Sequence, residues 1–276
     1  MAGSKASGTA AGWVLVLRLL GGALVVAWFS RLLLVSLAQQ VTRHLGACTS
    51  LMCPWGIALL SLAVQLVLAG YIAATLRVHR GLHRSVRASL NGSPRQLALS
   101  VVVAVSAGPL ANACALGVGR FLRVDSSSMY ALARVVHDAS GLEFSALVLC
   151  LSLAPALVEE TLFRGLVLSA LSPVRPAVAI AVQAIAFGVF HLDLVQGIAT
   201  CLLGLAFGTV RYKTGSLVAA MAAHGAYNLA VLVSLRLGHP TEPAKSALLL
   251  EVGIGAAIAL FALRALGTPT RSDTIA

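Results

Sequence analysis

The stretch FSALVLCLSLAPALVEETLFRGLVLSAL, residues 144–171, decides how this chain folds. Apart from Glu159, Glu160 and Arg164 it carries no charge, and it exceeds the roughly 20 apolar residues that an α-helix needs to cross a bilayer. Hydrocarbon offers no water to backbone polar groups, so a spanning segment must satisfy them internally, as a helix does. Comparable apolar stretches run at about 12–38, 56–76, 97–119, 177–193, 196–210, 216–236 and 247–266. Turn-forming segments such as Asn91-Gly92-Ser93-Pro94 and Ser172-Pro173-Val174-Arg175-Pro176 separate them. The expected fold is therefore all-α, a polytopic transmembrane helical bundle of about eight membrane-spanning helices.

Composition agrees with this reading. Of the 276 residues 59% are hydrophobic and 11% charged, with a mean hydropathy of +0.93, whereas soluble domains carry about 25% charged residues. The net charge of +11 fits Lys and Arg gathered in cytoplasmic loops. With the N-terminus inside, inner segments hold Lys5, Arg77, Arg80, Arg84, Arg87, Arg95, Arg175, Arg211, Lys213, Arg264 and Arg271, against Arg43, Arg120, Arg123, Arg134, Arg236 and Lys245 outside. Both termini are expected to be cytoplasmic, in a multi-pass protein of a bacterial plasma membrane. The arginine-rich loop from Arg77 to Arg95 dominates the asymmetry and is also placed to meet anionic headgroups. Nucleic acid is not an expected partner, because the basic residues are not interleaved with aromatics and form no known module.

Residues 1–11 read as a polar cytoplasmic tail, 12–140 as N-terminal transmembrane helices and loops, and 237–276 as the last transmembrane helix with a polar tail. Arg18 and Arg31 interrupt the first apolar stretch, which reads as a retained helix rather than a cleaved signal. The five cysteines include no CxxC pair. Cys48 and Cys53 share a short loop and are close enough in sequence for a disulfide. Gly197, Gly204 and Gly208 lie on one helical face, where they let two backbones approach closely.

Candidate chemistry falls in residues 141–236. A charge at the bilayer centre costs on the order of 2.5–3.5 kcal/mol on insertion scales, so the adjacent Glu159 and Glu160 need a reason. Neighbouring helical residues point about 100° apart, and Glu160 stands one turn before Arg164, the favourable order for an ion pair. Glu159 is then left on another face. Pro155 removes the amide that would bond the Leu151 carbonyl and loosens the helix just ahead of the pair. Phe187 and His191 share a helical face, while Asp193 marks the end of that helix. His224 and Asn228 also stand one turn apart, with donors that can reach a common point. A carboxylate base, two imidazoles, an amide donor and a charge-setting arginine suffice to activate water and stabilise an oxyanion.

The order Glu159-Glu160-Thr-Leu-Phe-Arg164, Phe187-Gly-Val-Phe-His191 and His224-Gly-Ala-Tyr-Asn228 resembles the membrane-embedded CPBP protease family. That family is marked by EExxxR, FxxxH and HxxxN or HxxxD, and it includes CAAX prenyl proteases and bacteriocin-processing or self-immunity proteins. The resemblance spans about 144–236 and makes 141–236 a CPBP-like catalytic core within the membrane. It implies an intramembrane endopeptidase in which Glu159 and His191 activate water, His224 and Asn228 hold the oxyanion, and Glu160, Arg164 and Phe187 support them. The expected partners are a membrane-associated peptide or protein substrate and the lipid bilayer. The resemblance fits either a glutamate-type or a metalloprotease mechanism; zinc, if used, would take His191, His224 and Glu159. No HExxH, GxGD or GxSxG occurs, which removes the other intramembrane hydrolase classes. The alternatives are a non-catalytic regulatory or immunity protein using the same cluster for assembly or binding, and a proton-coupled transporter. The transporter should show paired repeats or broken helices, and the sequence has neither.

Overall fold

The computed structural model describes residues 2–44, 52–123, 127–238 and 245–267. Ten helices follow one another among these residues, with no strand. They are α1 (Ala2–His44), α2 (Pro54–Val78), α3 (Arg80–Ala88), α4 (Pro94–Leu122), α5 (Ser127–Asp138), α6 (Gly141–Ala170), α7 (Pro176–Phe190), α8 (Leu194–Thr214), α9 (Leu217–Arg236) and α10 (Lys245–Ala265). The chain is an all-α polytopic bundle. Each of the eight apolar stretches falls within a helix or overruns its end by no more than three residues. Six meet the length and hydropathy of a membrane span: Ala10–Ser30 within α1, and α2, α4, α6, α8 and α9. α7 is apolar but shorter.

Local sequence explains where these helices begin. Ser93 caps α4 by accepting from the Gln96 amide, Gln96 returns a bond to the Ser93 amide, and Pro94 occupies the first turn. Ser140 and Glu143 make the same reciprocal pair at the start of α6. Asp193 does more than mark the end of α7, because its carboxylate accepts from the Gln196 amide and caps α8. α3 lies within the loop expected between α2 and α4. It is helical because Leu82 and Val86, one turn apart, bury against the bundle while its arginines stay exposed.

The segments assigned to the inner side converge on one end of the bundle. Leu217 donates its amide to the Ser89 carbonyl, and Gln96 reaches the Thr214 carbonyl. Arg95 donates to Ala265 and Lys213 to Gly267, which brings the end of α10 to the same place. At the opposite end Arg236 donates to the His137 carbonyl. Among the described residues, the fold thus brings Arg95 and Lys213 to one end of the bundle. Cys53 is disulfide-bonded; Cys48, the partner expected for it, lies outside the described residues.

α7 and α8 form an antiparallel hairpin whose backbones touch. A Cβ at Gly188 would stand 2.5 Å from the Gly197 carbonyl oxygen, and one at Gly204 would stand 3.0 Å from the Ala184 Cα. The glycines therefore set the spacing of the hairpin, as the small-residue face anticipated. Gly188→Leu should destabilise the fold by about 1–3 kcal/mol, the usual penalty for overpacking. Gly117→Leu, with nothing within 4 Å of its Cβ position, should be near neutral. Denaturation of the detergent-solubilised chain checks both.

Candidate active site

α6 carries the acidic pair and is not a regular α-helix. Its α-helical pieces Gly141–Val148, Ala154–Glu160 and Leu168–Ala170 alternate with π-helical turns at Leu149–Leu153 and Thr161–Val167. Such turns are rare and occur often at functional sites. Pro155 has no N–H to offer the Leu151 carbonyl in α register, or that of Cys150 in π register. Side chains from two other helices supply the missing donors. Asn228 Nδ2 donates to the Leu151 carbonyl at 3.1 Å, and Ser61 Oγ to that of Cys150 at 2.8 Å.

Glu160 is fully buried, and its Oε1 accepts from Arg164 Nη1 and from His224 Nδ1, each at 2.8 Å. The expected Glu160–Arg164 pair is present, and His224 joins it. Arg164 is equally buried, with its guanidinium 4.5 Å from the Phe187 ring centre and 5.4 Å from that of Phe207. Such faces attract a desolvated cation. Its Nη2 also donates to the Gly204 carbonyl at 3.3 Å. The His224 ring stacks on Phe207 at 5.3 Å. α6, α7, α8 and α9 therefore all contribute to the surroundings of one carboxylate.

Glu159 is held differently. It keeps 7% of its surface, and its Oε1 accepts from Gln65 Nε2 at 2.8 Å. Gln65 lies in α2, far outside 141–236, and the sequence reading passed it over. A single amide in an otherwise apolar span was the available signal. Gln183 was also missed. It is fully buried on α7 and donates to the same Gly204 carbonyl at 2.8 Å.

His191 caps the C-terminus of α7, where its Nδ1 pairs with the Phe187 carbonyl at 2.9 Å. That bond puts the ring proton on Nδ1 and leaves Nε2 as the acceptor atom in neutral imidazole. The next residue, Leu192, has a left-handed φ of 55°, a conformation that costs a non-glycine residue about 1–2 kcal/mol. Phe187 links the histidines: its ring lies 5.0 Å from His191 and 5.7 Å from His224. His224 and Asn228 stand one turn apart, yet their bonded donors go to different oxygens, Glu160 Oε1 and the Leu151 carbonyl.

Zinc would need three of these side chains to converge on one point. Among the described residues no three of His, Cys, Asp and Glu gather in a way that could hold a metal ion. Glu159, His191 and His224 do not fit a three-ligand zinc centre.

Residues 141–230 match the type II CAAX prenyl endopeptidase Rce1-like family. The match agrees with the family resemblance of the three motifs, and the Rce1-like segment contains every residue that carries them. Gln65 and Ser61, which complete its polar contacts, lie outside it. No curated protein and no solved structure matches the chain significantly.

Removing Arg164 alone would strand the Glu160 charge in an apolar interior. Arg164→Met should destabilise the protein by about 3–5 kcal/mol, and Glu160→Gln/Arg164→Met should recover part of that loss. Equilibrium unfolding in mixed micelles measures both.

Proposed function

We propose that the chain is an intramembrane endopeptidase that hydrolyses a peptide bond of a membrane-associated protein or peptide, with Glu159 as the general base. The observation that carries this reading is the unequal treatment of two adjacent buried carboxylates. Glu160 is engaged by a guanidinium and an imidazole, whereas Glu159 is held through one oxygen by a neutral amide. A buried carboxylate bonded by an amide rather than bridged into the ion cluster is expensive to keep, which favours a catalytic reason for it. The Rce1-like match supports a protease of this family.

In the proposed mechanism Glu159 takes a proton from a water molecule, and His191 Nε2 orients that water by accepting its second hydrogen. The hydroxide adds to the scissile carbonyl carbon. His224 and Asn228 hold the developing oxyanion, Asn228 through its second amide hydrogen. Protonated Glu159 then delivers its proton to the leaving nitrogen as the C–N bond breaks. Gln65 positions Glu159 throughout. An apolar groove of about 330 Å³, lined by Trp28, Leu32, Val35 and Leu192, adjoins the residue after His191 and offers a membrane segment an approach. The proposed orientation puts both termini in the cytoplasm, and 141–236 forms the catalytic core with Gln65 added from α2. The prenylated CAAX tail in the name of the matched family is the first substrate to assay.

Glu159→Ala and His191→Ala, expressed at wild-type levels, should lower cleavage of a membrane-reconstituted substrate by at least 10²-fold, the scale of a lost general base. Undiminished processing by both would remove the mechanism and favour a non-catalytic binding role.

Because the donors do not fit zinc, a chelator should leave cleavage unchanged. Loss that added zinc restores would overturn the glutamate assignment.

A further inference from the structure

Nine acidic residues occur in the chain, and none lies between Arg77 and Arg95, where five arginines and two histidines do. Topology alone asks only that such charges stay on one side. The fold does more with them. α2 ends at Val78, the chain turns at His79, and α3 runs on with Leu82 and Val86 buried against the bundle. That turn leaves a groove of about 750 Å³ lined by Ala73, Leu76, Arg77, Arg80, His83 and Arg84. Arg77, Arg80, His83 and Arg84 are all exposed, and none forms an ion pair among the described residues.

We propose that this groove is a binding site for the headgroup of an anionic phospholipid. Three guanidiniums around one recess match the several acceptor oxygens of a phosphodiester. A lipid rather than a soluble anion is indicated by what adjoins the cations. Leu66, Gly70, Ala73 and Arg77 follow one another at helical spacing along α2, and all four are exposed. They form a strip that is apolar through the span and cationic where it meets the groove. A phosphate among the arginines puts its acyl chains along that strip, an arrangement no soluble anion can use. The site also borders the candidate active site. Ser85 Oγ lies 3.0 Å from Ser169 Oγ, and a Cβ at Gly165 would lie 3.2 Å from Val86, so α3 packs on the π-turn that holds Arg164. A headgroup bound in the groove secures α3 in that position.

The test does not depend on protease activity. Purified full-length protein in detergent is titrated with phosphatidylglycerol or phosphatidylcholine, and bound lipid is counted by native mass spectrometry. Phosphatidylglycerol should bind in preference to phosphatidylcholine. Arg80→Gln/Arg84→Gln should weaken it about 10-fold, while Arg87→Gln/Arg175→Gln, which removes equal exposed charge outside the groove, should change it by less than about twofold. Arg80→Lys/Arg84→Lys, with the charge kept, should bind more tightly than the glutamine pair, and an unchanged thermal transition should show that each variant is folded. Equal weakening by the two glutamine pairs would reduce the effect to diffuse attraction and overturn the site. Equal binding of the two lipids, or their displacement by equimolar inorganic phosphate, would overturn it as well.

Discussion

A carboxylate with no solvent exposure, shared by a guanidinium and an imidazole, organises the second half of this bundle. Each of these groups would be costly to bury alone, and even a buried pair recovers its desolvation only when the geometry is good and further hydrogen bonds are made. Those extra contacts come from neighbouring helices: the Gly204 carbonyl from α8, and the Phe187 and Phe207 faces from α7 and α8. They are available because Gly188 and Gly197, and Gly204 and Ala184, bring α7 and α8 to backbone contact. Side chains larger than hydrogen at those glycines would push the hairpin apart and open the walls around Arg164. The small-residue face and the buried charge thus depend on each other.

Pro155 imposes a second constraint. A proline inside a membrane helix frees carbonyls that hydrocarbon cannot satisfy, and neighbouring side chains must bond them. Here Ser61 and Asn228 do so, one from α2 and one from α9. The irregular part of α6 is held from both sides just ahead of Glu159. Asn228 is thereby assigned a structural bond as well as its proposed catalytic one, and its amide has two hydrogens, enough for both.

The parts of this arrangement that were legible in the sequence are those set by short spacings. Glu160 and Arg164 are one turn apart and do pair, and the orphaned Leu151 carbonyl could be named from Pro155 alone. The apolar lengths gave the helices, and the Gly204 and Gly208 spacing marked the face against α7. What escaped notice requires partners distant in the chain. Gln65 is 94 residues from Glu159, and no local pattern joins them. The placement of His224 on Glu160 rather than toward Asn228's target depends on how α9 sits against α6. The π-turns were also hidden, because a helix gains an extra residue per turn through tertiary contacts more than through composition. α3 looked like a charged loop because its apolar stripe is only two residues long.

The two glutamates show how environment divides identical chemistry. Both belong to one short α-helical piece and both are buried, at 7% and 0% exposure. Proximity to the membrane interior cannot therefore separate them. Partner polarity can. Two basic side chains meet at one oxygen of Glu160 and bind it in place. Gln65 offers Glu159 a neutral donor, which fixes its direction. The role of base proposed for Glu159 needs a carboxylate aimed in this way. The pair reads as one carboxylate that holds the helices together and one that the held helices aim.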